Sequence, residues 1–105
     1  MAKTIYSIIY ANDVQVHLKS IDKKYWKLIK DTIVQQLQHK PLVESKNKKP
    51  LSKPPVDNIW EIRFGPNNIF RVFYKADELT LNVYILAVGV KLNNKLRIGK
   101  KEIQL

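Results

Sequence analysis

Hydrophobic and polar positions follow first a strand pattern and then a helix pattern in the N-terminal third of the chain. Residues 4–10 (TIYSIIY) are mostly β-branched or aromatic, with apolar side chains on both faces, which predicts a buried strand. Asn12 and Asp13 then indicate the start of a helix, because such side chains favour helix N-termini. The apolar positions that follow recur at helical spacing and predict a short first helix: Val14, Leu18 and Ile21.

A second, longer helix is predicted from about Lys23 to His39, with Asp22 as its cap. It ends at Lys40, because the proline that follows pushes this residue out of the α region. One apolar stripe runs along the predicted helix, with a member every three or four residues: Trp26, Ile29, Ile33 and Leu37.

Residues 41–58 (PLVESKNKKPLSKPPVDN) follow neither the strand period nor the helix period, so they are predicted to form a loop. Loops of this length are uncommon in compact domains and are usually functional or mobile. The segment is strongly basic, with four lysines against two acids: Lys46, Lys48, Lys49 and Lys53.

The C-terminal half of the chain has strand patterns throughout. Apolar and charged residues alternate over 60–64, and a second strand is predicted over 70–75. Residues 79–90 are apolar on both faces, which predicts a central strand, and 96–98 can form a last short one. The order of elements predicts an α+β fold in one domain, residues 1–105, with an N-terminal strand, two helices and an antiparallel sheet of three to four strands.

A turn over residues 65–69 separates the first two C-terminal strands. Antiparallel pairing across this turn places Arg63 opposite Arg71. Like charges that face each other across a ladder are destabilising, so such a pair can serve to hold an anion between its guanidinium groups. The alternative is that both arginines are simply solvated, or that Arg63 pairs with Glu61 or another acid.

The chain is strongly basic, with nineteen Lys and Arg against nine Asp and Glu and a formal charge of +10. A field of this sign attracts polyanions, of which nucleic acid is the commonest inside a cell, although an acidic protein or an anionic membrane also fits. The C-terminal tail adds a further basic group, which either comes over the sheet surface at the bend of Gly89 or forms an ordinary solvated tail: Lys91, Lys95, Arg97, Lys100 and Lys101.

Several classes of protein are disfavoured by what the sequence lacks. There is no cysteine, and the longest apolar run, 79–90, is shorter than the roughly 20 residues of a membrane-spanning helix, so we expect a soluble cytoplasmic protein. His17 and His39 stand alone and no nucleotide-binding, hydrolase or zinc-protease motif is present. We therefore expect neither a metal nor a cofactor.

Residues 60–99 resemble the C-terminal half of toxins of the RelE/ParE superfamily. The matching motifs are FRVFY at 70–74 and ILAVGVK at 85–91, and the preceding helices suit the order of elements in that family. The resemblance implies a toxin of a type II toxin–antitoxin system. Toxins of the RelE branch are endonucleases that cut mRNA in the ribosomal A site without a metal, whereas those of the ParE branch poison gyrase. Each is neutralised by an antitoxin that wraps around it.

The resemblance also implies roles for individual residues. Arg63, Arg71 and Lys91 match basic positions of the family, Arg97 falls where RelE-like nucleases have a catalytic tyrosine, and Glu61 falls where they often have a lysine. The expected catalytic group is therefore Arg63, Arg71, Lys91 and Arg97. The expected RNA-binding residues are Lys46, Lys48, Lys49, Lys53, Lys95 and Lys100.

In the expected reaction, arginines stabilise the charge that grows on the phosphate when a 2′-hydroxyl attacks it. Lys91 is the candidate base, provided that positive neighbours favour its neutral form, and Tyr84 or Tyr74 is the candidate acid. The expected partners are an acidic antitoxin, the ribosome and mRNA, and no membrane. A gyrase-directed toxin and a non-catalytic RNA-binding or ribosome-binding module remain as alternatives.

Overall fold

A computed structural model describes residues 4–51 and 58–103 of the chain. Its elements comprise two α-helices and a seven-stranded sheet within these ranges. The helices are α1 (Asp13–Lys19) and α2 (Trp26–Leu37), and a 3-10 turn (Lys23–Tyr25) precedes α2. The strands are β1 (Ser7–Tyr10), β2 (Lys48–Pro50), β3 (Trp60–Phe64), β4 (Phe70–Asp77), β5 (Asn82–Leu92), β6 (Lys95–Ile98) and β7 (Lys101–Ile103).

Strand β5 is the centre of the sheet, as its apolar sequence predicts. The strands from β2 to β7 are neighbours in chain order and pair antiparallel, so that β4 lines one side of β5. The other side of β5 is shared by two strands. β1 pairs in parallel with residues 82–85, and β6 pairs antiparallel with residues 89–92.

The helices cover one face of this sheet and build the core there. The predicted apolar stripe of α2 is confirmed, because Ile29, Ile33 and Leu37 are fully buried. On the sheet, alternate residues such as Ile62 and Val72 meet the helices in the same cluster. Full burial of each such side chain stabilises the fold by roughly 1.5–3 kcal/mol.

The start of α2 differs in detail from the prediction of one helix from Lys23. The Asp22 carboxylate caps the chain as expected, because its Oδ1 accepts a hydrogen bond from the Lys24 backbone N–H at 3.0 Å. The first turn is nevertheless 3-10, and Trp26 begins the α-helix while its indole Nε1–H donates to the Ile21 carbonyl at 2.9 Å. In the part of the chain that the structure describes, no helix is long and apolar enough to span a membrane.

The α+β class is confirmed, but the predicted count of three to four antiparallel strands is too low. The missed strands, β2 and β7, have only three residues each. β2 lies inside the predicted loop, where its sequence, Lys-Lys-Pro, has no strand pattern. These segments are extended because β3 and β6 offer them a ladder of hydrogen-bonding partners, and Pro50 is tolerated because β2 lies at the edge of the sheet.

The first strand is also less buried than its sequence predicts. Tyr6 is buried, but Ile9 and Tyr10 are exposed to 41% and 38%. Among the strands that the structure describes, β5 is the only partner of β1, which is therefore an edge strand. In β1, apolar side chains on both faces therefore do not mean that both faces are buried.

Candidate anion-binding site

The register between β3 and β4 brings the two arginines together as predicted. Arg63 lies directly opposite Arg71, and Phe64 lies opposite Phe70. The turn between them depends on Gly65, whose φ of +84° favours glycine and where a Cβ atom would run into the ring of Phe70. Arg71 in turn lies opposite Gly89 of β5, so one row of residues crosses three strands.

Strand alternation places this row on the face of the sheet that points away from the helices. Ile62 and Val72, the neighbours of the two arginines, belong to the core on the helical side. We use the name outer face for the opposite side, which the following residues define: Glu61, Arg63, Arg71, Phe73, Gly89 and Lys91.

One carboxylate oxygen serves both arginines. Oε1 of Glu61 lies 2.7 Å from Nε of Arg63 and 3.6 Å from Nη1 of Arg71. The Glu61 and Arg71 side chains are only 9% and 11% exposed, whereas that of Arg63 is 50% exposed. The anion between the two guanidinium groups is thus the carboxylate of Glu61. This arrangement agrees with the sequence-based alternative in which Arg63 pairs with Glu61.

The surroundings of Arg71 disfavour the charged form of its guanidinium group. Burial lowers the pKa of its guanidinium, the charge of Arg63 lowers it further, and Glu61 acts in the opposite direction. Within residues 4–51 and 58–103, the buried Nε of Arg71 has no hydrogen-bond partner. An unsatisfied buried donor costs about 1–3 kcal/mol and more when it is charged, so the buried Nε is an energetic cost of placing Arg71 in this strand.

Gly89 allows β6 to approach β5 closely beside this row. A Cβ atom on Gly89 would lie 2.9 Å from the Arg97 carbonyl oxygen and 3.0 Å from side-chain carbons of Leu96 and Ile98. Two residues further along β5, Lys91 lies on the same face by alternation, and its backbone N–H donates to the Ile69 carbonyl at 2.7 Å. Lys91 is half-buried. Its predicted position near the arginine pair therefore agrees with the register.

Arg97 does not join the arginine row, contrary to the prediction. Leu96 and Ile98 share the face of Gly89, so Arg97 between them points to the other side of β6. The register depends on a two-residue turn in which Asn93 and Asn94 both have positive φ, as in a type I′ hairpin. This pair of asparagines is a sequence signal from which the orientation of Arg97 could have been predicted.

Lys48 serves the fold rather than RNA contact, contrary to the prediction. It lies opposite Ile62 on the helical side, is 6% exposed, and donates from Nζ to the carbonyls of Gln36 at 3.1 Å and Lys40 at 2.7 Å. The ammonium group thereby satisfies carbonyls at the C-terminal end of α2, where a cation is favoured. Burial, followed by the charge of Lys40, lowers the pKa of Lys48.

The other predicted RNA-binding lysines are dispersed. Lys49 lies opposite Glu61 and therefore shares the outer face, where it is exposed. Lys46 and Lys100 are exposed in turns, and Lys95 lies 3.9 Å from Glu102 on the side of β6 that carries Arg97. Lys53 lies outside the described residues.

Neither tyrosine considered as an acid lies beside the arginines. Tyr74 is fully buried on the helical side, its hydroxyl donates to the Pro41 carbonyl at 2.6 Å, and burial raises its pKa. Tyr84 lies opposite Lys75, five residues along β5 from Gly89, and its hydroxyl accepts from Asn82 Nδ2 at 3.3 Å. Five strand residues correspond to roughly 16 Å.

The two histidines have structural partners. His17 Nδ1 accepts a hydrogen bond from the Val88 N–H at 3.2 Å, and His39 Nδ1 lies 2.9 Å from the Thr4 carbonyl oxygen. Among the residues that the structure describes, no three acidic or histidine side chains come close enough together to hold a metal ion. The chemistry available on the outer face is therefore that of the guanidinium groups of Arg63 and Arg71, the amino groups of Lys49 and Lys91 and the carboxylate of Glu61.

Comparison with known proteins identifies the fold and the family. A chain of the toxin–antitoxin complex RelBE2 from Mycobacterium tuberculosis is similar, with a TM-score of 0.71 and 19% identity over 86% of this chain and 95% of that chain. No curated protein sequence matches the chain significantly. Residues 16–105 match the family model of phage-derived Gp49-like proteins (DUF891). The chain thus belongs to the Gp49-like family, and it has the RelE-like toxin fold that its sequence predicts.

Proposed function

We propose that the protein is the toxin of a type II toxin–antitoxin system and cleaves mRNA on the ribosome without a metal ion. One observation carries the proposal. Arg63 and Arg71 face each other on the outer face of the sheet, where the Arg63 side chain is 50% exposed. The likeness to a chain from a toxin–antitoxin complex and the net charge of +10 support it.

The proposed chemistry uses three residues of the outer face. In its neutral amine form, Lys91 takes the proton of the RNA 2′-hydroxyl, which attacks the adjacent phosphorus, and negative charge grows on the phosphate oxygens. Arg71 and Arg63 stabilise this charge more in the transition state than in the ground state. The bond to the 5′-oxygen then breaks, leaving a 2′,3′-cyclic phosphate, and the 5′-oxygen takes a proton from water.

The proposed partners follow from the charge of the same face. An antitoxin with an acidic segment can neutralise the toxin by presenting carboxylates to Arg63 and Arg71, which RNA would otherwise contact. The ribosome supplies the mRNA in the cytoplasm, and the exposed Lys49 beside the arginines suits the RNA backbone. An open reading frame for a short acidic protein next to this gene is the expected genomic setting.

The decisive test incubates the protein with programmed ribosomes and maps the mRNA ends. We expect the wild-type protein to cut, and Arg71→Ala to lower the rate by about 100-fold or more, since loss of one donor to a developing oxyanion has an effect of that size. Arg97→Ala is the matched control, because it removes the same charge from the opposite face of the sheet. Intact mRNA with the wild-type protein, or equal losses in the two variants, would refute the proposal.

The ion pairs of Glu61 favour a second candidate, a protein that binds RNA or the ribosome without cutting. A carboxylate at this position already compensates the arginine pair, whereas RelE-like nucleases often have a lysine there. This candidate predicts binding that weakens steeply with salt and no cleavage under any condition. A gyrase-directed toxin is distinguished from both by inhibition of DNA supercoiling.

A further inference from the structure

We propose that Glu61 is a built-in counter-ion, which holds the anion position of the arginine pair until an RNA phosphate displaces it. The inference rests on the proposed function, because that function places a phosphate at Arg63 and Arg71. It goes further by assigning a role to a residue that differs in type from the lysine often found there in RelE-like nucleases. Glu61 is a positioning residue in this scheme and takes no part in the chemical step.

The first argument is geometric. The same oxygen of Glu61 approaches both guanidinium groups, at 2.7 Å from Arg63 and 3.6 Å from Arg71. Glu61 lies two residues before Arg63 on β3, so their side chains share one face. A phosphate oxygen bound to both arginines must come within a few ångströms of the carboxylate, where two negative charges repel each other.

The second argument concerns burial. The side chains of Glu61 and Arg71 are only 9% and 11% exposed, so the ion pair is shielded from the water that would otherwise weaken it. Removing one partner of a buried pair leaves the other charge uncompensated, which is strongly destabilising. An Arg71 that has lost Glu61 must therefore gain more from a bound anion than an Arg71 that still has it.

A consequence follows for selectivity. With Glu61 in place, free phosphate and loose RNA compete against an internal carboxylate and bind weakly. An mRNA held by the ribosome presents its phosphate at a high effective concentration and can displace the carboxylate. Glu61 thereby makes the arginine pair selective for RNA that is already positioned.

The experiment measures binding of inorganic phosphate by calorimetry and by the phosphate-dependent rise in melting temperature. We expect Glu61→Gln, which keeps an acceptor for Arg63 but loses the charge, to bind phosphate at least about tenfold more tightly than wild type. Glu78→Gln is the matched control. Glu78 is exposed in the turn after β4, and the end of β4 at Asp77 already lies six residues, roughly 20 Å, from Arg71, so the effect of Glu78→Gln is expected to stay within about twofold.

Two further variants keep the test decisive if Glu61→Gln is poorly stable. Glu61→Gln combined with Arg71→Gln removes both buried charges, and phosphate is then expected to raise the melting temperature no more than in the control. Glu61→Asp retains the charge but withdraws it by one methylene, and we expect phosphate affinity between wild type and Glu61→Gln. Equal phosphate affinities in Glu61→Gln, Glu61→Asp and Glu78→Gln would overturn the inference.

These measurements contain no ribosomes and no mRNA. If the wild-type protein leaves mRNA on the ribosome intact while Glu61→Gln binds phosphate more tightly, the nuclease proposal is therefore refuted and the counter-ion role of Glu61 stands. If the wild-type protein cuts mRNA while the phosphate affinity of Glu61→Gln is unchanged, the counter-ion role is refuted and the nuclease proposal stands.

Discussion

His17 and Val88 are joined by a hydrogen bond at the point where β5 has a gap between its two partners on one side. The Val88 N–H donates to His17 Nδ1 at 3.2 Å, between the residues that pair with β1 and those that pair with β6. The imidazole of α1 thus takes the place of a strand partner. It can accept this bond only when neutral with its proton on Nε2, because the charged ring is a donor at both nitrogens.

The first prediction is a loss of stability at mildly acidic pH. Burial lowers the pKa of His17 from its usual value of 6.5, and the charge of Asp13 opposes this only in part. The unfolded chain therefore binds the proton more readily, so this contribution is complete above pH 6.5 and is lost as the pH falls below it. Chemical denaturation at several pH values between about 5 and 7 measures the effect.

His17→Asn is the matched variant for this prediction, because its amide oxygen can accept from the Val88 N–H and does not titrate. The free energy of unfolding of this variant should depend less on pH in the same range. Charged groups at the surrounding groove, Asp13, Lys19, Lys100 and Lys101, are unchanged in it. An identical pH dependence in the two proteins would show that His17 is not the group responsible.

The second prediction concerns the close contact of β5 and β6. Gly89→Ala should destabilise the protein by about 1–3 kcal/mol, because the new methyl group overlaps the Arg97 carbonyl oxygen, which lies 2.9 Å from the Cβ position. Thermal and urea unfolding measure the loss. Adding Ile98→Ala removes only the side-chain contact with Ile98 Cγ1 at 3.0 Å, so, measured against Ile98→Ala alone, most of the loss should remain. Full recovery in this double variant would contradict a backbone clash.

The third prediction separates two consecutive lysines. Lys48→Met should lower the free energy of unfolding by about 1–3 kcal/mol, because carbonyls at the end of α2 lose their donor. Lys49→Met, at an exposed position on the outer face, should change it by no more than about 0.5 kcal/mol. Unfolding measurements on both variants test this contrast.

Salt-dependent RNA binding gives the complementary result for the same pair. Lys49→Met should reduce the dependence of the binding constant on salt by about one phosphate contact, whereas Lys48→Met should leave it unchanged wherever the protein is folded. A smaller salt dependence in Lys48→Met than in Lys49→Met would restore Lys48 as an RNA-binding residue.

Local patterns of the sequence were sufficient to predict much of this structure. Helical spacing identified the buried stripe of α2, and the turn at Gly65 placed Arg63 opposite Arg71. Both inferences depend only on neighbours in the chain, since side-chain direction repeats with a period of 3.6 in a helix and of 2 in a strand. The central position of β5 followed from its apolar residues in the same way.

The tertiary structure alone decided which side chains those patterns bring together. β2 has no strand signal of its own and is extended because β3 pairs with it, which turns Lys48 towards the end of α2. Only the register of β6 against β5 decides which residues of the C-terminal tail lie on each face of the sheet. This register places Arg97 on the face opposite to Arg71. Glu61 is the shared counter-ion of two arginines, because a buried guanidinium group needs a carboxylate nearby. The burial of Arg71 depends on how the strands pack, and no local period of the sequence encodes it.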